Sequence, residues 1–93
     1  MANTNEAVDP TTNTVEYSYT VIFEQPEEGG YLARVPALGF VTQGDTLEEA
    51  RLMAADAIHG VLETRRKHGE PIPEDVEDST RVHKEKVSVA LTL

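Results

Sequence analysis

Alternating hydrophobic and polar residues predict a first β-strand in "VEYSYTVIFE", residues 15–24. Every second position is Val, Tyr or Phe, and this period of two is typical of a half-buried strand. The next segment, "QPEEGG", predicts a turn, because Pro26 fixes its φ angle and Gly29 and Gly30 permit positive φ. "YLARVP" then predicts the returning strand of a hairpin, and "LGFVTQ" predicts a short third strand.

The hydrophobic period changes to that of a helix after the third strand. Thr46 and Glu49 have the spacing of a capping box, in which each residue satisfies a free N–H group at the helix start. Apolar residues then recur at spacings of three and four and form one stripe. They are Leu47, Ala50, Met53, Ala54, Ala57, Ile58, Val61 and Leu62. Gly69 is a natural C-cap and two prolines follow it, so the pattern predicts one helix.

The last segment, "VHKEKVSVALTL", alternates again and predicts a fourth strand. The fold class is therefore α+β, with the order β-β-β-α-β. A helix that returns the chain to its starting edge predicts a last strand beside the first, parallel to strands one and three, after a right-handed crossover. The result would be a four-stranded mixed sheet of order 3-2-1-4 with the helix on one face.

One helix leaves the other face of such a sheet open. Ile22, Leu32 and Phe40 are expected to line this face, which favours self-association as a homodimer or larger assembly. Residues 15–93 are interpreted as a single domain. Residues 1–14 are polar and lack periodicity, so they are predicted to form a disordered tail.

Composition and charge restrict the range of functions that this chain can have. The 93 residues include no cysteine, which excludes disulfides, zinc–thiolate sites and thiol nucleophiles. No apolar run approaches the roughly 20 residues that span a bilayer. The first residues lack the basic and apolar regions of a secretory signal, so a cytoplasmic protein is expected. The net charge of −9 repels nucleic-acid phosphates and favours a basic partner.

The sequence also contains residues that could form a catalytic or metal-binding site, but simpler structural roles explain them. A metal-dependent nuclease needs several carboxylates that converge on divalent cations. The candidates are Glu16, Glu24, Glu48, Glu49 and Asp56. Those on the helix are more simply explained as helix-start or surface charges, as is the i, i+4 pair of His59 and Glu63. No catalytic residue, metal or cofactor is assigned.

Three segments in this order resemble the HicB antitoxin family: the turn "EEGGY", the helix start "VTQGDTLEEA" and the loop "GEPIPE". The resemblance covers roughly residues 17–93. It implies a partial ribonuclease-H-like fold in a non-enzymatic antitoxin. Such an antitoxin would bind and neutralise a small basic HicA-like mRNA-cleaving toxin in a type II toxin–antitoxin system. Many family members carry a C-terminal DNA-binding segment, whereas this sequence ends at Leu93, so no direct DNA binding is expected from this chain alone.

With a basic partner in view, acidic residues of the hairpin turn and of the loop after the helix become candidate contacts. They are Glu27, Glu28, Glu74, Asp75, Glu77 and Asp78. Two alternatives stay open. An orphan HicB-fold domain would act as a self-associating regulatory module, and a residual metal-dependent nuclease would need carboxylates clustered on one face of the sheet.

Overall fold

A computed structural model describes residues 6–9, 13–76 and 83–92 of the chain. Its elements are β1 (Glu6–Asp9), β2 (Thr14–Glu24), β3 (Tyr31–Val35), β4 (Phe40–Gly44), α1 (Leu47–Lys67) and β5 (His83–Thr92). The four expected strands lie in the order β4-β3-β2-β5, which confirms the predicted order 3-2-1-4. α1, the one helix among the described residues, covers one face of the sheet, so the predicted β-β-β-α-β fold is confirmed.

β2 is the central strand, and it has three partners. β5 pairs along almost its whole length, from Thr14 opposite Thr92 to Phe23 opposite His83. β3 pairs only with residues 22–24, and β1 pairs with residues 14–17. Because a strand has two edges and β5 occupies one of them, β1 and β3 must share the other.

The prediction of a mixed sheet was wrong, because every strand pair is antiparallel. α1 begins where β4 ends, at the hairpin end of the sheet, and runs towards the opposite end. β5 also begins at the hairpin end, with His83 opposite Phe23. The chain therefore has to return along the sheet after α1, and Pro73 and Asp75 already lie beside Tyr19 and Thr20 of β2. Because of this return, β5 runs antiparallel to β2 and not, as expected for a strand that directly follows the helix, parallel to it.

The predicted disordered tail is also corrected in part. Glu6–Asp9 form the strand β1, and Thr14 already belongs to β2. The other residues of the segment lie outside the described part of the chain, apart from Asn13, which precedes β2. β3 is short and pairs only with residues 22–24 of β2, and β1 pairs with residues 14–17 on the same edge. Backbone N–H and C=O groups there favour another strand even where the sequence has little hydrophobic pattern.

The core lies between α1 and the covered face of the sheet. Tyr19 and Val21 of β2 and Ala33 and Val35 of β3 are fully buried against the helix. Four helix residues are equally buried: Ala50, Ala54, Ile58 and Leu62. Their spacing of four matches the predicted stripe. No helix among the described residues is both long and apolar enough to cross a membrane.

One residue expected on the open face lies on the other side. Phe40 pairs with the buried Val35 and packs against the core, because paired residues share a face of the sheet. Ile22 and Leu32 do lie on the open face, together with Val41. The short third strand contains too few residues for its pattern to show which side faces the helix.

Candidate partner-binding site

A cleft of about 370 Å³ lies between the β2–β3 turn and the start of α1. The turn contributes Pro26 and residues 28–32, and the other wall is formed by Gln43, Gly44, Asp45 and Glu49. Three carboxylates from two separate segments therefore border one space: those of Glu28, Asp45 and Glu49. We call this space the acidic cleft.

Glycines allow the two walls to approach each other. Gly29 and Gly30 have φ angles of 101° and 73°, which permit the tight turn after Pro26. A Cβ atom on Gly30 would lie 3.1 Å from the carbonyl oxygen of Gly44. A Cβ atom on Gly44 would lie 2.5 Å from the backbone nitrogen of Ala50, which is too close for any side chain. The hairpin turn, β4 and the helix start are thus packed backbone against backbone.

The cleft has a negative electrostatic character. None of its lining residues carries a positive charge. The free N–H groups at the helix start would attract anions, but the Thr46 Oγ1 atom accepts the Glu49 N–H at 3.1 Å, and Glu48 and Glu49 occupy the first turn. The predicted N-cap is present. The arrangement suits a lysine or arginine side chain better than an anion.

The six acidic candidates are placed differently by the structure. Glu27 and Glu28 are exposed on the β2–β3 turn, and Glu28 borders the cleft. Glu74 is exposed in the segment after α1. Glu77 and Asp78 lie outside the described residues. The sequence indicated Glu49 only as a helix-start charge, because nothing in the local pattern around Asp45 and Glu49 shows that the hairpin turn folds over them.

Asp75 has a structural role. Its side chain is only 6% exposed. One carboxylate oxygen accepts the backbone N–H of Thr20 at 2.8 Å, and the other accepts the Thr20 hydroxyl at 2.7 Å and also contacts the Lys86 ammonium group. Thr20 lies in the stretch of β2 that neither β1 nor β3 reaches. Asp75 therefore fastens the returning segment to the sheet, and we do not propose it as a partner contact.

The surroundings of Asp75 shift its titration. Burial alone would raise the pKa of this carboxyl, but the hydrogen bonds from Lys86 and Thr20 outweigh it and hold the pKa below its usual range. A second bond fastens the same segment, because the Tyr19 hydroxyl donates to the carbonyl oxygen of Pro73. The charged form of Asp75 is thus the one that the fold stabilises.

The other titratable residues singled out in the sequence do not converge on one site. Glu16 and Glu24 point to the open face, where Glu24 forms an ion pair of 2.8 Å with Arg34. His59 and Glu63 are 3.5 Å apart on the exposed side of α1. No group of three or more His, Cys, Asp or Glu residues within the described ranges is arranged to hold a metal ion.

Three known proteins are similar to this chain over 56 to 66 residues. A UPF0150 protein from Thermoplasma acidophilum is 44% identical over 66 residues, which cover 70% of this chain and 96% of the relative. A UPF0150 protein from Synechocystis is 40% identical over 60 residues, or 63% of this chain and 76% of the relative. The antitoxin HicB 1 of Photorhabdus laumondii is 45% identical over 56 residues, which cover 59% of this chain.

The chain belongs to the HicB-like antitoxin family, together with the UPF0150 proteins. The part aligned with HicB 1 spans 36% of that antitoxin. No family model matches the chain. Within this HicB-like fold, the stretch from Glu27 to Ala50 holds both walls of the acidic cleft. Its glycines set the shape of the cleft, and its carboxylates set the charge.

Proposed function

We propose that this HicB-like protein is a non-enzymatic antitoxin, which binds and neutralises a small basic HicA-like mRNA-cleaving toxin in a type II toxin–antitoxin system. The observation that carries the proposal is the acidic cleft, where Glu28, Asp45 and Glu49 converge from two segments. Family membership supports the antitoxin role. The net charge of −9 supports a basic partner.

Neutralisation follows from competition for the same charges. A protein that cleaves RNA has to attract phosphates with lysine and arginine side chains. An acidic protein that occupies those side chains keeps RNA away from them. Charge attraction mainly accelerates encounter and selects partners, whereas buried apolar contacts slow dissociation. Tyr31 and Leu32, which are half-buried in the cleft wall, are suited to the second role.

Co-expression with a small basic protein encoded beside this one tests the proposal. The two proteins should co-purify, and this chain should relieve the growth arrest that the other causes. Association should slow as salt rises, because screening weakens attraction between exposed charges. Failure of both co-purification and relief would contradict the antitoxin role, and an orphan self-associating domain would then explain the chain better.

Charge reversal locates the contact. The double variant Glu28→Lys with Asp45→Lys reverses two cleft carboxylates. The matched control, Asp56→Lys with Glu63→Lys, makes the same change in net charge on the exposed side of α1. The cleft variant should associate at least about tenfold more slowly than the control, since steering depends on local charge. Equal slowing in both variants would show that the cleft is not the contact.

We further propose that the protein self-associates and acts in the cytoplasm, where its mRNA-cleaving partner would work. One helix covers one face of the sheet, and a chain of 93 residues buries only a modest core by itself. Light scattering at about 50 µM should give a mass of at least twice 10.2 kDa. A monomeric mass would contradict the self-association.

A further inference from the structure

We infer that β4 is the seam of a symmetric homodimer, in which the Phe40–Gly44 strands of two copies pair antiparallel and join two sheets into one. The inference rests on the self-association proposed above, and it names the surface and the register.

The outer edge of β4 offers backbone groups for pairing. Within the described ranges β4 pairs only with β3, so its other edge has no strand beside it. An edge strand is a template for another strand unless charges, proline or a bulge protect it. The strand "FVTQG" contains neither a charged residue nor a proline. At the opposite edge of the sheet, β5 begins with the charged sequence "HKEK", which protects that edge.

Charge selects a second copy as the occupant. The net charge of −9 makes most approaches between two copies repulsive. β4 is an uncharged strip on this acidic molecule, so two copies can pair along it without placing charged side chains of the two strands opposite each other. A basic partner would gain no electrostatic attraction from the same strip and would be drawn to the acidic cleft.

Apolar side chains flank the strip on both faces of the sheet. Val41 is 51% exposed on the open face. On the other face, Arg51 of α1 reaches across to Glu85 of β5, so the opposite flank of the helix faces β4. Successive helix residues are rotated by about 100°, which places Met53 on that flank. Met53 is 44% exposed, and a second copy beside β4 would cover both side chains.

The pairing of β3 with β4 fixes the register. Phe40, Thr42 and Gly44 share the face of the buried Val35 and Ala33, while Val41 and Gln43 face the other way. A dimer has to keep covered residues opposite covered residues. Among the registers that do so, only the one centred on Thr42 pairs all five residues. It places Thr42 opposite its own symmetry mate, with Cα atoms about 4.5–5.5 Å apart.

A single cysteine tests this geometry directly, because the chain contains none. Two cysteines at position 42 would lie within the Cα separation that a disulfide needs, about 4.4–6.8 Å. Mild oxidation of Thr42→Cys should therefore convert most of the protein into covalent dimer. Ala90→Cys, on the exposed face of the other edge strand β5, is the matched control and should remain largely monomeric on denaturing gels.

A charge on the seam gives a second test. Val41→Lys places two ammonium groups near the symmetry axis and should reduce the mass in light scattering to 10.2 kDa, whereas Ala90→Lys should leave the dimer intact. Circular dichroism checks that both variants are folded. A wild-type dimer that Thr42→Cys fails to cross-link would place the seam elsewhere and overturn this inference. A wild-type monomer would overturn the self-association itself, and neither result would affect toxin binding.

Discussion

Arg51 on α1 holds Glu85 on β5 through two parallel hydrogen bonds, each 2.7 Å long. The guanidinium group also lies 5.9 Å from the centre of the Phe23 ring, and this ring is tilted against His83 at 5.3 Å. The cluster joins the helix, the central strand and the last strand at the end of the sheet that carries the acidic cleft. It therefore keeps the helix start in place as one wall of that cleft.

The Arg51–Glu85 pair should make stability depend on acid pH. Hydrogen bonds from Arg51, aided by His83 and opposed by burial, lower the pKa of Glu85 from 4.5 to about 2. Because the folded-state pKa is the lower one, the stabilisation is complete above 4.5 and is lost as the pH falls towards 2.

Glu85→Gln should therefore lower the free energy of unfolding by about 1 kcal/mol at neutral pH. The difference from wild type should shrink between pH 4.5 and about 2 in urea titrations. An identical difference at both ends of this range would mean that the charge of Glu85 does not stabilise the fold. The neighbouring exposed residue Lys84 provides a control position, at which Lys84→Gln should not reproduce the acid dependence.

Asp75 should contribute more to stability than its acidic neighbour. Asp75→Ala removes the acceptor of the Thr20 N–H and hydroxyl and the partner of Lys86. Loss of a partner for such buried groups costs about 1–3 kcal/mol. Glu74→Ala, an exposed change one residue away, should stay within about 0.5 kcal/mol of wild type. Chemical denaturation of the three proteins measures both effects, and equal stability of the two variants would contradict the structural role of Asp75.

Two glycines should respond to alanine in opposite directions. A Cβ atom on Gly44 would meet backbone atoms of Glu49 and Ala50 at 2.5–2.9 Å, so Gly44→Ala forces β4 and the helix start apart. We expect a loss of about 2–4 kcal/mol, as for other severe overpacking. Gly60 lies in the middle of α1 with no atom within 4 Å of an added Cβ. Gly60→Ala should stabilise the helix by roughly 0.5–1 kcal/mol.

Thermal unfolding at one protein concentration distinguishes the two glycine variants. The midpoint should fall for Gly44→Ala and rise for Gly60→Ala. A neutral Gly44→Ala variant would show that the contact between β4 and the helix start can relax, and that the cleft is less rigid than its backbone packing indicates.

The sequence predicted the elements of this fold better than their directions. Period-two and period-3.6 segments are local signals, and they identified β2 to β5 and α1. The direction of β5 depends on how the chain returns after α1, and hydrogen bonds from Tyr19 to Pro73 and from Thr20 to Asp75 hold this part of the chain against β2. β1 was missed because "EAVD" shows no alternation of hydrophobic and polar residues, although its backbone pairs with residues 14–17 of β2.

The candidate site was predictable only in part. The acidity of the hairpin turn is visible in "PEEGG", and the capping pattern of Thr46 and Glu49 is visible in "TLEE". The convergence of these two segments is not visible in the sequence, because it requires the hairpin turn to lie beside the end of β4. The close packing at Gly44 is the physical cause of that convergence, and a single glycine in a sequence gives no distance.

The chain should not bind duplex DNA alone at physiological salt. Binding to phosphates needs free cationic groups, yet Arg34, Arg51 and Lys86 each form an ion pair with a carboxylate. The basic residues that cluster lie in the last turn of α1, at residues 65–67. So few contacts, on a molecule of net charge −9, give weak binding that salt removes. Fluorescence anisotropy with a labelled duplex should show no binding at about 0.15 M salt.

Any residual binding at low salt should disappear in the variant Arg66→Glu with Lys67→Glu, which removes two charges of the basic turn. The opposite charge reversal, Glu27→Lys with Glu28→Lys, should instead strengthen the residual binding, because it converts the acidic hairpin turn into a basic one. Submicromolar binding by the wild-type chain at physiological salt would contradict the prediction. It would mean that a local surface overcomes the repulsion expected from the whole molecule.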